Sequence, residues 1–189
     1  MREPGTLRRD GATRRARKLL AAAVLVCLLQ PAPAARAQEV TTPALVAAVI
    51  VGIAKFTTWP ADAFVDEPNL VFCVAGDPSV REELERLTRG RDIEGRPIVV
   101  RPEAPAGPFD GCHLLYLSGM SLARAVDAAG QVADRPVLTI SDIPGFSRGG
   151  GITLLYFRQG RVAFHIDVDA ARRSGIQISS RALVLSRQP

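Results

Sequence analysis

Residues 136–183 read PVLTISDIPGFSRGGGITLLYFRQGRVAFHIDVDAARRSGIQISSRAL, and this stretch decides the fold class. Residues 137–140 form a short apolar strand, closed by Ser141-Asp142 and Pro144-Gly145, which favour turns. Gly149, Gly150 and Gly151 then precede two strands, 152–157 and 161–167, that meet as a hairpin around Gln159-Gly160. Asp167 or Asp169 is placed to cap a short helix through Arg173, with Gly175 as its stop signal, and Ser179-Ser180 to cap a last helix toward Leu185. The stretch is dense in signals of ordered structure and nearly empty of catalytic chemistry. It suits a binding surface better than a pocket for bond-breaking.

Working outward, Thr42-Pro43 starts a helix over 44–56, with Pro60 as its stop and Trp59 forced out of helical geometry. Residues 44–53 carry no polar side chain, so this helix is buried in its own core or meets a second chain, a homodimer being one such arrangement. Strands are expected at 70–74, 98–101 and 113–117, and helices at 80–89, capped by Ser79, and 121–132. Early strand–helix–strand units imply parallel pairing and the late hairpin an antiparallel extension. The expected fold is a single α/β domain, a mixed β-sheet with helices on both faces.

The first 37 residues read as a cleaved export signal. Arg8, Arg9, Arg14, Arg15, Arg17 and Lys18 precede an apolar run over 19–29, too short to span a bilayer, and Ala35-Arg36-Ala37 supplies a small-x-small site with cleavage between Ala37 and Gln38. Arg14-Arg15 hints at twin-arginine export, but polar Arg17-Lys18 follows, which favours the general secretory route. Eight of the 24 basic and two of the 19 acidic residues lie in that segment, so residues 38–189 hold 16 basic and 17 acidic. The basic character belongs to the signal, and no nucleic-acid patch is supported.

Cleavage leaves Cys73 and Cys112. In an exported protein an even pair reads as a disulfide, with two separate buried thiols as the alternative, and the spacing excludes a C-x-x-C redox pair. Two histidines, His113 and His165, lack the further ligands a metal would need, so no metal and no cofactor is expected. Ser118-Gly119 is not a nucleophile elbow, and the glycine triplet precedes a strand without the Lys-Ser/Thr of a phosphate loop, so no catalytic residue is assigned. Arg148, Arg172, Arg173 and Arg181 could hold a small anion.

Several ordered segments now resemble one family. They are AKFTTWP (54–60), FCVAGDP (72–78), GRPIVV (95–100), CHLLYLS (112–118), LTISDIPGF (138–146), GRVAFHID (160–167) and SGIQISSRAL (174–183). Together they resemble the YfiR family of periplasmic regulators over nearly all of residues 38–189. The resemblance implies regulation, not catalysis: a periplasmic protein that binds the periplasmic domain of an inner-membrane diguanylate cyclase and holds it inactive, lowering cyclic di-GMP and biofilm formation. It also implies a structural disulfide at Cys73 and Cys112. A second disulfide of the family has no counterpart, since residues 146–156 hold no cysteine. His165 stands where relatives often carry glutamate. The expected partner-binding surface comprises Phe146, His165, Ile176 and Arg181. The other reading is a periplasmic small-molecule-binding module acting on a sensor histidine kinase or another receptor.

Overall fold

The computed structural model describes residues 42–158 and 160–186. The export signal and its cleavage site lie outside the described residues. In chain order the elements are α1 (Thr42–Ala54), β1 (Thr57–Thr58), a 3-10 turn (Ala61–Phe64), β2 (Leu70–Ala75), α2 (Pro78–Thr88), β3 (Asp92–Ile93), β4 (Arg96–Pro102), β5 (Leu114–Leu117), α3 (Leu122–Gly130) and β6 (Leu138–Ser141). A second 3-10 turn (Ser147–Gly149), β7 (Thr153–Arg158), β8 (Arg161–Ile166), α4 (Val168–Arg173), β9 (Gln177–Ile178) and α5 (Ser180–Ser186) follow.

Seven strands form one mixed sheet in the order β3-β4-β2-β5-β6-β7-β8. The five inner strands run parallel, and β3 and β8 close the edges antiparallel. The expected α/β class is observed, with helices on both faces. Because side chains alternate along a strand, Leu70, Phe72, Val74, Leu114, Tyr116, Leu138 and Ile140 point into one core, shared with α1, α4 and α5. Val71, Cys73, Ala75, Leu115 and Leu117 point into the other, under α3.

Helix α1 buries Val46, Ala47, Ile50, Val51, Ile53 and Ala54, which answers the question its apolar sequence raised: most of it belongs to the chain's own core. It stops at Ala54, two residues before the expected end. Thr57 Oγ1 donates to Ile53 O (3.0 Å), competing with the helix ladder. Thr57 and Thr58 then pair with Ile178 and Gln177 as a two-stranded sheet that the sequence reading missed. Helix α2 also begins early. Asp77, not Ser79, is its cap, accepting from Ser79 N–H (2.9 Å), and Pro78 takes the first helical position. Ser121 caps α3 and Asp167 caps α4.

Cys73 and Cys112 form a disulfide, their Cα atoms 5.7 Å apart across a sequence separation of 39. Strand β2 lies beside β5, with Cys73 opposite Leu115 and Cys112 just before β5. The Arg101 guanidinium covers the bond, with Nη2 3.5 Å from each sulfur and Nε donating to Glu103 (2.6 Å).

Candidate functional site

In a parallel sheet, ligands usually bind beyond the carboxyl ends of the strands, where the connections change direction. Here that point lies between β2 and β5, because β2 leads to β4 on one side while β5 leads to β6 on the other. It is closed by main chain. Gly76, at φ +134°, is so near β5 that a Cβ there would stand 2.1 Å from Ser118 O. Asp77 N–H donates to Ser118 Oγ (3.0 Å). Beside it the buried Tyr116 donates to Asp142 Oδ2 (3.1 Å). Burial pushes the Asp142 carboxyl above its ordinary range, and burial with the Asp142 charge pushes the tyrosine up.

Neither histidine reaches a serine among the described residues. The His113 ring is buried at the opposite end of β5. Nδ1 accepts from Val71 N–H (3.1 Å), so Nε2 carries the proton and donates to Ala63 O (2.9 Å). The ring stacks on Phe64 (centroids 4.5 Å apart), and Arg96 lies 3.6 Å over Phe64. Desolvation holds the imidazole below its usual pKa, so it is neutral and structural. Ser141 Oγ is spent on Leu117 O (2.7 Å). Cys73, Glu103 and Cys112 are the one metal-ligand-type cluster among the described residues, and their two sulfurs are bonded to each other. Among the described residues this geometry offers no hydrogen-bonded serine–histidine pair.

The surface carries, among other depressions, an acidic cleft and an apolar hollow. A cleft of about 670 Å³ opens at the amino ends of the strands, beside Cys112 and His113. Asp62, Asp66, Glu67, Asp110 and Asp134 line it against Arg135 and Arg173, and Arg135 pairs with Asp110 (3.1 Å). The second is a shallow apolar depression of about 370 Å³ between the end of α1 and α5, bordered by Phe56, Ser180, Arg181, Val184 and Leu185. Val184 and Leu185, adjacent on α5, are 59% and 52% exposed.

The four expected surface residues do not assemble. Phe146 is fully buried in the core under α3, a correction to its expected role in contact. Gly151 makes the slot for it: a Cβ there would come within 2.1 Å of the Phe146 ring. Ile176 is likewise buried, in the other core, because β9 pairs with β1 and draws it in. His165 is exposed, on the sheet face opposite Phe164, while Arg181 lies on α5, which packs on the Phe164 side. The four arginines considered for an anion also fail to converge. Arg173 lines the acidic cleft, Arg181 borders the apolar depression, and Arg172 pairs with Asp169 (3.5 Å). The sequence reading passed over Val184 and Leu185, although two adjacent apolar residues after Ala182-Leu183 on one short helix cannot all face inward.

The sequence matches the YfiR/HmsC-like family over residues 43–187. The chain belongs to that family. The match spans every element from α1 to α5, including the disulfide and the hairpin. As a YfiR/HmsC-like protein it stands among periplasmic regulators in a membrane-linked pathway. No helix among the described residues is long and apolar enough to cross a membrane.

Proposed function

We propose that this YfiR/HmsC-like protein is exported through its N-terminal signal, cleaved after Ala37, and binds the periplasmic domain of an inner-membrane diguanylate cyclase, holding it inactive. The observation that carries the reading is the family match over residues 43–187. The exposed apolar depression at α5 supports a docking role. Val184, Leu185 and Phe56 supply the apolar anchor and Arg181 a polar rim, as protein interfaces require. His165 is a separate, peripheral contact. Inhibition is a population shift, so the protein binds the cyclase's inactive state more tightly than its active one.

The test is deletion and complementation. Deleting the gene raises cyclic di-GMP, and the wild-type gene restores the low level. Leu185→Asp with Val184→Asp fails to restore it, although the variant is exported and melts as wild type. A cyclic di-GMP level that deletion leaves unchanged across growth conditions refutes the cyclase reading. The other reading, a small-molecule-binding module serving a sensor kinase, draws on the cleft of about 670 Å³, whose excess of carboxylates suits a cation better than an anion. A kinase phosphorylation state that follows deletion, with cyclic di-GMP constant, is its signature.

A further inference from the structure

Strands β7 and β8 pair from Thr153 and Ile166 out to Arg158 and Arg161, while β6 accompanies β7 only as far as Leu154. The last four residue pairs therefore project past β6 as a two-stranded ribbon, by about 13 Å at the usual rise per residue. Because β7 runs parallel to β6, the ribbon leaves the sheet at its carboxyl end, away from the acidic cleft at the amino ends. Its base is packed: Leu155 is buried, and Val162 and Phe164 are half-buried against the core shared with α5. Its tip is bare. Phe157 is 54% exposed, and Arg158 and Arg161 are both exposed. Side chains alternate, so Phe157 shares one face with its partner Val162, and Arg158 shares the other with Arg161. The two arginines are direct cross-strand partners, a like-charge pairing that is unfavourable on its own. Neither makes an ion pair among the described residues, and residues 143–166 hold no Asp or Glu.

We propose that this tip docks on an anionic phospholipid surface, with the Phe157 ring at the boundary of the acyl chains and Arg158 and Arg161 on lipid phosphates. Phosphates between the two guanidiniums remove the repulsion that makes the pair unfavourable in water, and the arginine fork matches phosphate oxygens. Phe157 faces the opposite way at the same level of the ribbon. An acidic patch on another protein would meet one face and leave the other in water. A lipid interface surrounds an inserted tip, so it receives the ring and both cations together. Arginine at a strand edge ordinarily guards against pairing with other strands. A guard gains nothing from an exposed aromatic ring beside it. The charge distribution orients the approach: residues 38–189 carry 16 basic and 17 acidic residues, yet the charges of the ribbon tip are all cationic and the carboxylates of the cleft lie toward the opposite end of the sheet. Two arginines and one ring make a weak, reversible attachment, short of a stable anchor. The inference is independent of which receptor the protein regulates.

The experiment is cosedimentation of the mature protein with vesicles of phosphatidylglycerol and phosphatidylcholine in equal parts, and with vesicles of phosphatidylcholine alone. Wild type partitions onto the anionic vesicles, less as salt rises, and not onto the neutral ones. Arg158→Gln and Arg161→Gln each lower the partition coefficient about fivefold, and the double variant about 25-fold. Arg89→Gln, the same charge change on an exposed arginine at the carboxyl end of α2, changes it little. Phe157→Trp, compared with wild type whose single tryptophan is buried, shifts its emission to the blue on anionic vesicles as the new ring leaves water. Circular-dichroism melts confirm that each variant is folded. Wild type that stays in solution beside anionic vesicles at low salt overturns the proposal, as does binding that the double arginine variant retains. An unmoved Phe157→Trp emission also overturns it, since the tip then adsorbs without inserting. Arginine-dependent binding to the receptor's isolated periplasmic domain, with none to vesicles, assigns the tip to a protein partner and overturns the lipid assignment.

Discussion

Replacing Gly151 by alanine tests whether Phe146 is core or surface. The added Cβ would stand 2.1 Å from Cε1 of Phe146 and 2.4 Å from Cδ1 and Cζ, against a normal carbon contact of about 3.5–4.0 Å. The Gly151 φ lies outside the left-handed region, so the backbone itself accepts alanine. The ring must therefore move by more than an ångström inside a core where Phe146 has no exposed surface. Overpacking of this kind costs about 1–3 kcal/mol, while loss of glycine's freedom in the unfolded chain returns about 0.4–1 kcal/mol. The net expectation is a loss of roughly 1–2 kcal/mol, or about 2–8 °C in Tm for a domain of this size. Urea unfolding, read by the single and buried Trp59, measures it. Phe146→Leu is the second arm: in that background alanine at 151 costs little, so the double-mutant cycle shows coupling on the order of 1 kcal/mol or more. Gly52→Ala is the control. It lies inside α1 with nothing within 4 Å of the added Cβ, and stabilises by up to about 1 kcal/mol. If Gly151→Ala is neutral or stabilising while Phe146 is present, the ring does not fill that slot and the burial argument fails.

Two further outcomes are expected. Reducing Cys73–Cys112 removes a cross-link across 39 residues of separation, costing about 4 kcal/mol by loop entropy, or roughly 8–16 °C in Tm; coincident melts with and without reductant would refute it. Stability should also carry a His113-dependent pH slope. The folded pKa is held below the ordinary value of 6.5 and the unfolded chain takes the proton first, so the contribution is complete above about pH 6.5 and is lost as pH falls toward the folded value. His113→Asn removes that slope below about pH 6.5, and the raised carboxyl of Asp142, common to both proteins, cancels in the comparison; equal slopes would refute it.

The alternation of apolar strands and capped helices was legible because each element is local: the hairpin, Asp167 as a cap and Gly175 as a stop all lie within a few residues of what they govern. What failed was non-local. Thr57-Thr58 ended α1 early because Gln177-Ile178, far along the chain, offers a strand to pair with. The same pairing buries Ile176, which as one apolar residue between Gly175 and Gln177 reads as exposed. Phe146 follows a Pro-Gly turn and so reads as a loop aromatic. Only the structure reveals the reason: Gly151, whose φ is ordinary, is a glycine because the Phe146 ring closes on it, and nothing local in the sequence marks that approach. Strand alternation sets His165 on the face opposite Phe164 and Ile166, and there it is exposed.

Where this protein can engage anything follows from what its fold has filled. At the carboxyl end of the sheet, where α/β domains usually hold ligands, the crevice between β2 and β5 is shut by the approach of Gly76 to Ser118. For the proposed role this leaves the perimeter, where the apolar depression at α5 and the acidic cleft at the amino ends lie. A regulator of the proposed kind has to hold one partner state without transforming it, and let go. The disulfide joins β2 to the segment that enters β5, beside the acidic cleft, so reduction is expected to act on the stability of the whole domain.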